Sequence, residues 1–409
     1  YYLHPDYHEA SPAAVESAPQ REAAAPRWGD RLQMTPSQQE SILKPAGWMH
    51  YRYPFIYGQP DTRQFPLATW RSAANWLHGG VRDPAWVIDH IDQDVPMLIE
   101  QIRTRVLPKR GIVAAPDEIL ITLGSQNALY LLTRLLLSST TRIGVENPCF
   151  REAINTFLLA EVVPHPVDEE GIVLNERPCD YYYVTPGHQV PTGVTMSSAR
   201  RRQLLEHAAR HDAVIIEDDY DSESNFTLNP LPALKASDRS GRVVYVSSLP
   251  KALSPGLRLG FMVADPDLID EARALRRLVY RHPPTNIQYQ MAHFLAQGHY
   301  ETHLRRYHYD SAQRWERLHA ALQRYLPSCR ALAGSEHANA FWLQTPAQIN
   351  TQQLTWRAAH AGVLIEPGAR HFLNAAPPDN YFRMGFHAIN PDAIAQGVEV
   401  LRGQLEQMG

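Results

Sequence analysis

Three residues of this chain could bind and react with an aldehyde that carries a phosphate group, and they lie close to the ends of strand-like segments. Lys251 is one of only four lysines in 409 residues and follows an apolar run and two serines. Asp218 lies 33 residues upstream, past another apolar run, and Arg258 lies in the turn after the lysine. A lysine traps an aldehyde, a carboxylate holds a pyridinium nitrogen and an arginine binds phosphate, which pyridoxal phosphate requires of a protein. The sequence therefore predicts this cofactor, joined to Lys251.

The other lysines fit this role less well. They occupy linker or loop sequences without the Ser-Ser-x-x-Lys pattern and the downstream arginine, and they are Lys44, Lys109 and Lys235. A surface lysine near a turn is the alternative interpretation of Lys251.

A glycine and a serine mark the end of one predicted strand and the start of a helix. Gly124 allows close backbone approach, and Ser125 can cap the helix and leave its amides facing an anion. On its own, Gly-Ser before a helix is usually only a cap. Together with Lys251 and Arg258, the segment Gly124-Ser125-Gln126 predicts a phosphate site.

Asp218 is predicted to keep the ring nitrogen protonated, which makes the ring an electron sink. Charge alone does not choose between Asp218 and its acidic neighbours, which are Glu217, Asp219 and Asp221. Tyr220 can donate to the phenolic oxygen of the ring, or it can be a packed core tyrosine.

Other strand ends carry further candidates. Phe150 can stack on the ring, although a lone phenylalanine is more often part of a core. His188 or Gln189, in a polar loop shaped by two prolines, can bond the cofactor's oxygen, with a bare turn as the alternative. Arg383 stands alone in an apolar strand, where an unpaired guanidinium is costly to bury. It therefore predicts an anionic ligand, or else a structural ion pair.

The elements that must position these residues alternate between short apolar strands and helices. Strands separated by helix-length segments imply a mainly parallel sheet covered on both faces, an α/β fold. Ligands bind such sheets at the carboxyl ends of the strands, where the marked residues fall. The predicted strands are Ile119–Thr122, Arg142–Val145, Glu161–Val163, Tyr181–Val184, Ala213–Glu217, Val243–Val246 and Leu259–Val263, and the helices include Leu67–Leu77, Ser125–Leu137 and Ser198–His211.

The C-terminal part predicts a smaller α+β lobe. Long helices are expected near Thr285–Gln297 and His303–Leu326, and a last helix from about Pro391. The strands between them are predicted at Phe341–Leu343, Val363–Glu366 and Tyr381–Phe386.

Bulk properties narrow the class of protein. A net charge of −4 and a pI near 6.6 give no general attraction to nucleic acid or anionic membranes. Three scattered cysteines favour reduced thiols and no metal site. No apolar run approaches the ~20 residues of a membrane span, and the N-terminus does not read as a signal peptide. We therefore expect a cytoplasmic protein.

The first residues have the composition of a linker. Residues 8–40 are rich in Ala, Pro, Ser, Glu and Gln with almost no periodic apolar pattern, and the chain begins without methionine. This suggests that another domain precedes the linker, with a processed end as the alternative.

Several motifs resemble the aminotransferase-like domain of MocR/GabR-type regulators, in the class I/II, fold-type I pyridoxal-phosphate superfamily. They are Tyr-Pro-Phe-Ile-Tyr-Gly-Gln-Pro-Asp, Thr-Pro-Gly-His-Gln-Val-Pro-Thr-Gly, Ile-Ile-Glu-Asp-Asp-Tyr-Asp and Lys-x-Leu-x-Pro-Gly-Leu-Arg-Leu-Gly, and the resemblance spans about residues 48–409. It implies Lys251 as the aldimine lysine, Asp218 at the pyridine nitrogen and Tyr220 at the phenolic oxygen. It also implies Phe150 as the stacking ring and Arg383 for a substrate-like carboxylate.

The chain departs from the family pattern at two places. Pro250 stands where the family usually has serine, although Ser248 keeps a hydroxyl able to reach the phosphate. Residues 83–97 replace a Tyr- and Gly-containing segment that commonly serves the neighbouring subunit's site.

Tyr1-Tyr2-Leu3 is similar to the last strand of a winged helix-turn-helix domain. The predicted divisions are a linker (1–47), an N-terminal arm with part of the small domain (48–94), a large cofactor-binding domain (95–283) and a small C-terminal domain (284–409).

Two functions remain open. The favoured one is an effector-sensing regulatory domain, a homodimer that forms an external aldimine with an amino acid or other amino compound. Such a domain would reach DNA only through a domain outside this chain. The alternative is a working aminotransferase, in which Lys251 also shuttles a proton. Both need the same cofactor residues, so the motifs do not separate them, and the effector or substrate is not identified. A scaffold without cofactor fits the motifs least.

Overall fold

The computed structural model describes residues 27–42, 44–45, 47–80, 85–90, 92–157, 159–224, 230–249, 251–332 and 339–408. The Tyr1–Leu3 strand and Pro250 lie outside these residues. The chain separates into two units, Tyr1–Gln39 and Glu40–Gly409, which are described separately. In the first unit, the described residues form two single helical turns, Trp28–Asp30 and Pro36–Gln38.

The elements of the second unit follow the predicted alternation closely. The strands are β1 (Tyr53–Pro54), β2 (Ile119–Thr122), β3 (Arg142–Asn147), β4 (Glu161–Asp168), β5 (Gly171–Ile172), β6 (Tyr181–Val184), β7 (Val214–Asp219), β8 (Val243–Leu249), β9 (Leu259–Val263), β10 (Arg330–Ala331), β11 (Ala340–Gln344), β12 (Val363–Leu364), β13 (Glu366–Pro367) and β14 (Tyr381–Gly385). The helices are α1 (Leu67–Gly80), α2 (Pro96–Gln101), α3 (Ser125–Leu136), α4 (Arg151–Ile154), α5 (Ser198–Arg210), α6 (Pro266–Tyr280), α7 (Thr285–Ala296), α8 (His299–Tyr325), α9 (Thr351–His360) and α10 (Ile394–Glu406). Among the described residues, no helix is long and apolar enough to cross a membrane.

The large sheet is mainly parallel and is covered on both faces, as predicted. Its strands, within the described residues, have the order β2-β9-β8-β7-β6-β3-β4-β5. The neighbours from β8 to β4 pair in parallel, whereas β9 is antiparallel to both β2 and β8. Successive side chains of β7 enter different cores: Ile216 packs with α3 and α6, and Ile215 packs with α5. This alternation buries both faces of the sheet.

The C-terminal sheet is antiparallel, with the order β10-β11-β14-β13, and α8, α9 and α10 share its core. Tyr53 and Phe55 belong to this core as well, because β1 pairs in parallel with β12. The single strand predicted over Val363–Glu366 is instead two strands, since the chain changes partner at Ile365, from β1 to β14. Helix α8 begins at His299, one turn earlier than predicted.

One edge of the large sheet collects the predicted chemistry. Strands β2, β3, β6, β7 and β8 end at this edge and β9 begins there, because β2 and β8 both run opposite to β9. The edge therefore receives Gly124 after β2, Asp218 near the end of β7, Lys251 after β8 and Arg258 before β9.

Gly260 of β9 controls how closely two of these segments approach. It pairs with Thr122 and Ser248, and a Cβ added there would lie 2.6 Å from the carbonyl carbon of Gly124. Because that neighbour is backbone, the turn before α3 would have to shift. We expect Gly260→Ala to lower the free energy of unfolding by about 1–3 kcal/mol, measured by chemical denaturation of the apoprotein.

The matched control is Gly403→Ala in α10, where an added Cβ meets nothing within 4 Å. Alanine favours a helix over glycine by about 0.5–1 kcal/mol, so this variant should be as stable as the wild type or slightly more so. A Gly260→Ala protein of wild-type stability would contradict the close approach.

Candidate functional site

A cavity of about 340 Å³ lies at this edge of the sheet. Its volume is within the range of small-molecule sites. The predicted site residues that line it are Gly124, Ser125, Gln126, Phe150, Asp218, Tyr220, Ser248, Lys251, Arg258 and Arg383. The structure thus brings together most of the predicted residues, from six different segments of the chain.

The amine of Lys251 is surrounded by polar and aromatic groups. Its Nζ donates to Tyr57 Oη at 2.9 Å, lies 3.5 Å from Asp221 Oδ1 and stands 4.1 Å from the centre of the Tyr220 ring. Burial lowers the pKa of Lys251, and the nearby Asp221 and Asp218 oppose this effect. A lowered pKa increases the fraction of the lysine that is a neutral amine, and the neutral amine is the form that attacks a carbonyl.

Asp218 has one satisfied and one unsatisfied oxygen. Its Oδ2 accepts from Tyr183 Oη at 2.8 Å, while Oδ1 is buried without a hydrogen-bond partner among the described residues. Burial raises the pKa of Asp218 to about 7, although the Tyr183 hydrogen bond opposes the rise. A buried acceptor of this kind is costly to leave unpaired. A protonated ring nitrogen would supply the partner that Oδ1 lacks, so the residue fits the predicted cofactor.

The neighbouring acids have other partners. Asp219 accepts from Arg110 Nε and Tyr245 Oη, both at 2.7 Å. Glu217 accepts from the backbone amides of two residues, Leu234 and Lys235. Asp221 accepts from Tyr57 Oη at 2.9 Å and from Asn339 at 2.5 Å. These contacts favour Asp218 as the acid that faces the ring, a choice that charge alone left open.

A polar cradle forms where α3 begins. Gly124 adopts a left-handed conformation with φ +81°, and a Cβ there would lie 3.1 Å from Arg258 Nη2. Ser248 Oγ donates to Ser125 Oγ at 3.1 Å, and Arg258 Nη2 donates to the Leu123 carbonyl at 3.1 Å. Two hydroxyls and a guanidinium therefore surround the N-terminus of α3, which suits a phosphate.

The structure does not bring His188 or Gln189 into the cavity lining. Gln189 Nε2 donates to the carbonyls of Pro148 and Val190, at 2.7 and 2.6 Å, and its Oε1 accepts from Thr192. The amide therefore joins its own loop to the segment after β3, a contact that no local sequence pattern indicates. The His188 carbonyl accepts from Tyr220 Oη at 3.1 Å.

Arg383, for which the sequence predicts an anionic ligand or else a structural ion pair, forms an ion pair. Its Nη2 contacts Glu366 Oε1 at 2.8 Å, and Glu366 also accepts from His371 Nε2 at 2.8 Å. Arg383 and His371 hold the pKa of Glu366 down at about 2, against the opposing effect of burial. The structural ion pair that the sequence left as an alternative is therefore present. Arg383 still lines the cavity, and its buried Nε has no hydrogen-bond partner among the described residues.

The cavity lining also includes residues that were not predicted to belong to the site, among them Lys44, Tyr57 and Glu366. Tyr57 contacts Lys251 directly but lies in an irregular aromatic segment. The signal for Glu366 was available, since an acid ends an apolar strand in the same lobe as the lone Arg383. Opposite charges in two apolar strands of one lobe indicate a pair.

The profile of the family Aminotransferase class I and II matches residues 92–386, most of the chain. The chain belongs to this family. It is 39% identical over 354 residues to the HTH-type transcriptional regulator TauR of Rhodobacter capsulatus, covering 85% of this chain and 72% of TauR. It is 32% identical over 361 residues to the probable rhizopine catabolism regulatory protein MocR of Rhizobium meliloti, covering 86% of this chain and 72% of MocR. These two relatives confirm the predicted resemblance to MocR-type regulators.

A solved structure confirms the fold-type I architecture. LysN, the alpha-aminoadipate aminotransferase of Thermus thermophilus, has a TM-score of 0.80 and 26% identity, covering 94% of this chain and 98% of LysN. That structure is complexed with N-(5'-phosphopyridoxyl)-L-leucine. Family membership and this complex support pyridoxal 5'-phosphate as the cofactor.

The covalent link to Lys251 can be mapped directly. Protein saturated with pyridoxal phosphate and reduced with borohydride should carry the label on the peptide containing Lys251. Lys251→Ala should lose both the label and the visible absorption of the bound cofactor, whereas Lys235→Ala should keep both, because Lys235 Nζ donates to the Val243 carbonyl outside the cavity. A label on Lys44, which also lines the cavity, would refute the assignment.

The buried Asp218 carboxyl predicts a pH dependence of the apoprotein. Its pKa of about 7 lies above the ~3.9 of an unfolded aspartate. Between these values the folded protein holds a proton that the unfolded chain has lost, so the contribution of Asp218 to stability falls as the pH rises. We expect Asp218→Asn to reduce the loss of melting temperature between pH 5 and pH 8.

The control for this experiment is Asp212→Asn, whose side chain is 91% exposed. It should follow the wild-type profile. An Asp218→Asn apoprotein with an unchanged pH profile would show that this carboxyl is not held protonated by burial.

Proposed function

We propose that this chain is the effector-sensing, aminotransferase-like part of a MocR-type transcriptional regulator, and that its effector is an amino compound. The observation that carries the proposal is the cavity, where Lys251 lies beside an unsatisfied oxygen of Asp218 and a cradle at the start of α3. The similarity to two regulators supports sensing rather than turnover as the use of this cavity.

Each part of the cavity has a role in this proposal. Bound pyridoxal phosphate supplies an aldehyde that condenses with amines and a ring that withdraws electrons. Lys251 would hold the aldehyde carbon, Asp218 the ring nitrogen, and Phe150 one ring face. Ser125, Ser248 and Arg258 would bind the phosphate through hydroxyl and guanidinium donors. Tyr220 lines the same cavity and would lie near the phenolic oxygen.

The incoming ligand should carry a primary amine and a carboxylate. The amine would take the place of Lys251 at the aldehyde carbon, and the freed Lys251 Nζ would have Tyr57 and Asp221 as neighbours. The carboxylate would be held by Arg383, because its Nε is buried and unpaired among the described residues. Glu366 neutralises part of that guanidinium, so the ligand must compete with an existing ion pair.

A working aminotransferase is the second candidate. Lys251, Tyr57 and Asp221 form a connected set of donors and acceptors, with contacts of 2.9 Å for Lys251–Tyr57 and 2.9 Å for Tyr57–Asp221. Such a set can accept a proton from a ligand carbon and pass it on. The likeness to LysN, an aminotransferase, also supports this candidate.

We also propose a cytoplasmic homodimer that reaches DNA through a domain outside this chain. Exposed apolar side chains support the dimer: Val87 and Ile88 are 64% and 57% exposed, and Leu278 is 80% exposed. Asp89 pairs with Arg281, which ties the segment containing Val87 and Ile88 to the end of α6. An apolar surface of this kind marks an interaction site.

The carboxylate preference can be tested by spectral titration of the cofactor-loaded protein. Amino acids should change the visible spectrum at much lower concentrations than simple amines. Arg383→Ala should weaken amino-acid binding by about 10- to 100-fold, the usual value of a charge-assisted hydrogen bond. The control Arg52→Ala removes an exposed arginine outside the cavity and should bind as the wild type does.

Turnover separates the two candidate functions. A sensor should show the spectral change and then produce little keto acid from an added acceptor, because occupancy alone carries the signal. Rapid repeated turnover would favour the aminotransferase. If Arg383→Ala instead loses the lysine-bound cofactor, the role of Arg383 is structural.

A further inference from the structure

Lys44 lies in the same cavity as Lys251 and Arg383, although it belongs to the predicted linker, residues 1–47. Its side chain is half-buried, and its Nζ lies 3.7 Å from the position of a Cβ on Gly58. Ile42 of the same segment also lines the cavity. Within the segment Glu40–Pro45, the described residues Ile42 and Lys44 therefore form part of the cavity wall.

Hydrogen bonds from two parts of the second unit hold this segment in place. The Ile42 amide donates to Glu152 Oε1 at 2.8 Å, and Asn155 Nδ2 donates to the Glu40 carbonyl at 2.8 Å. On the other side, Arg370 Nη1 donates to the Ser41 carbonyl at 2.7 Å. Arg370 is next to His371, which pairs with Glu366, so the segment spans from α4 to the region of the Glu366–Arg383 pair.

Lys44 places another positively charged side chain in the cavity that Arg383 also lines. Arg383 and Glu366 form an ion pair, Lys44 adds a positive charge near both, and Glu152 is a further acid in the cavity lining. Within the described residues, no carboxylate forms an ion pair with Lys44. Burial lowers the pKa of Lys44, and attraction from Glu366 only partly opposes this. An anion bound here would offset the cost of placing the ammonium in the cavity.

We propose that Lys44 binds the anionic group of the effector together with Arg383, and that the effector thereby fastens the segment Glu40–Pro45 to the cavity. The inference rests on the proposed function. Glu366 neutralises part of the charge of Arg383, and Lys44 provides another cation in the same cavity. Together the two cations would attract a carboxylate or a similar anion. Because this segment leads directly to the residues before Glu40, ligand occupancy would be transmitted along the backbone towards the N-terminal side.

The test compares lysine variants in the cofactor-loaded protein. Lys44→Met removes the charge and keeps most of the stem, Lys44→Arg keeps the charge, and Lys109→Met removes a lysine that lines a different pocket. The probes are L-alanine, β-alanine and L-glutamate, with ethylamine as an amine that has no carboxylate. Dissociation constants come from spectral titration.

Lys44→Met should lose about 10-fold in affinity for the amino acid that binds best, and ethylamine binding should not change. Lys44→Arg and Lys109→Met should stay within a factor of about 2–3. In hydrogen-exchange mass spectrometry, that amino acid should slow exchange in peptides covering residues 40–45 of the wild type and have no such effect in Lys44→Met.

The outcomes separate the two proposals. If the wild type responds to none of the three amino acids, the proposed amino-acid effector fails and this inference falls with it. If the wild type responds but Lys44→Met binds equally well, the Lys44 inference alone is overturned. Weaker binding of amino acid and ethylamine alike in Lys44→Met would also overturn it, since that pattern reflects a structural role rather than contact with the carboxylate.

Discussion

Burial of Asp218 is the constraint on which the site depends. The carboxyl sits at the end of β7 in the middle of the large sheet, with one oxygen satisfied by Tyr183 and the other unpaired among the described residues. An ionised carboxylate in such a place is stable only if a positive or protonated group meets it. Lys251, itself desolvated, lines the same cavity. A pyridine ring that bears an aldehyde would suit both residues: its protonated nitrogen would pair with Asp218, and its aldehyde would react with Lys251.

The walls around this pair come from distant parts of the chain. Tyr57 reaches Lys251 because the arm that carries it is bonded to the C-terminal lobe: the Phe55 amide donates to the Leu364 carbonyl, and the Gly385 amide donates to the Phe55 carbonyl. Gly385 must be glycine, since a Cβ there would lie 2.3 Å from the Ile56 carbonyl oxygen. The arm thus lies between β12 and β14, and the position of Tyr57 depends on that packing.

Local pattern was enough to predict seven of the eight described strands of the large sheet, all but the two-residue β5, and the residues at their ends. Alternation of apolar strands and helices specifies where the strands of the sheet end, and Asp218, Lys251 and Gly124 lie at these ends. Their placement there does not depend on contacts with distant segments. The misjudged or missed residues depend on contacts between separate segments. Gln189 donates to the Pro148 carbonyl of a separate segment, Glu366 pairs across two short strands, and Tyr57 contacts Lys251 across 194 positions of sequence. No periodic pattern records such contacts.

The packing of the arm between β12 and β14 of the C-terminal lobe affects the order in which the site can form during synthesis. During synthesis the large sheet can form once β9 has left the ribosome, because its strands lie between Ile119 and Val263. The arm emerges early, but the C-terminal strands that its backbone bonds to, β12 and β14, follow more than 300 residues later. Arg383, and the backbone contacts that hold the arm of Tyr57, are therefore added only near the end of translation. Stable binding of a cofactor would therefore be a late step, because the cavity is incomplete until the C-terminal lobe has been made.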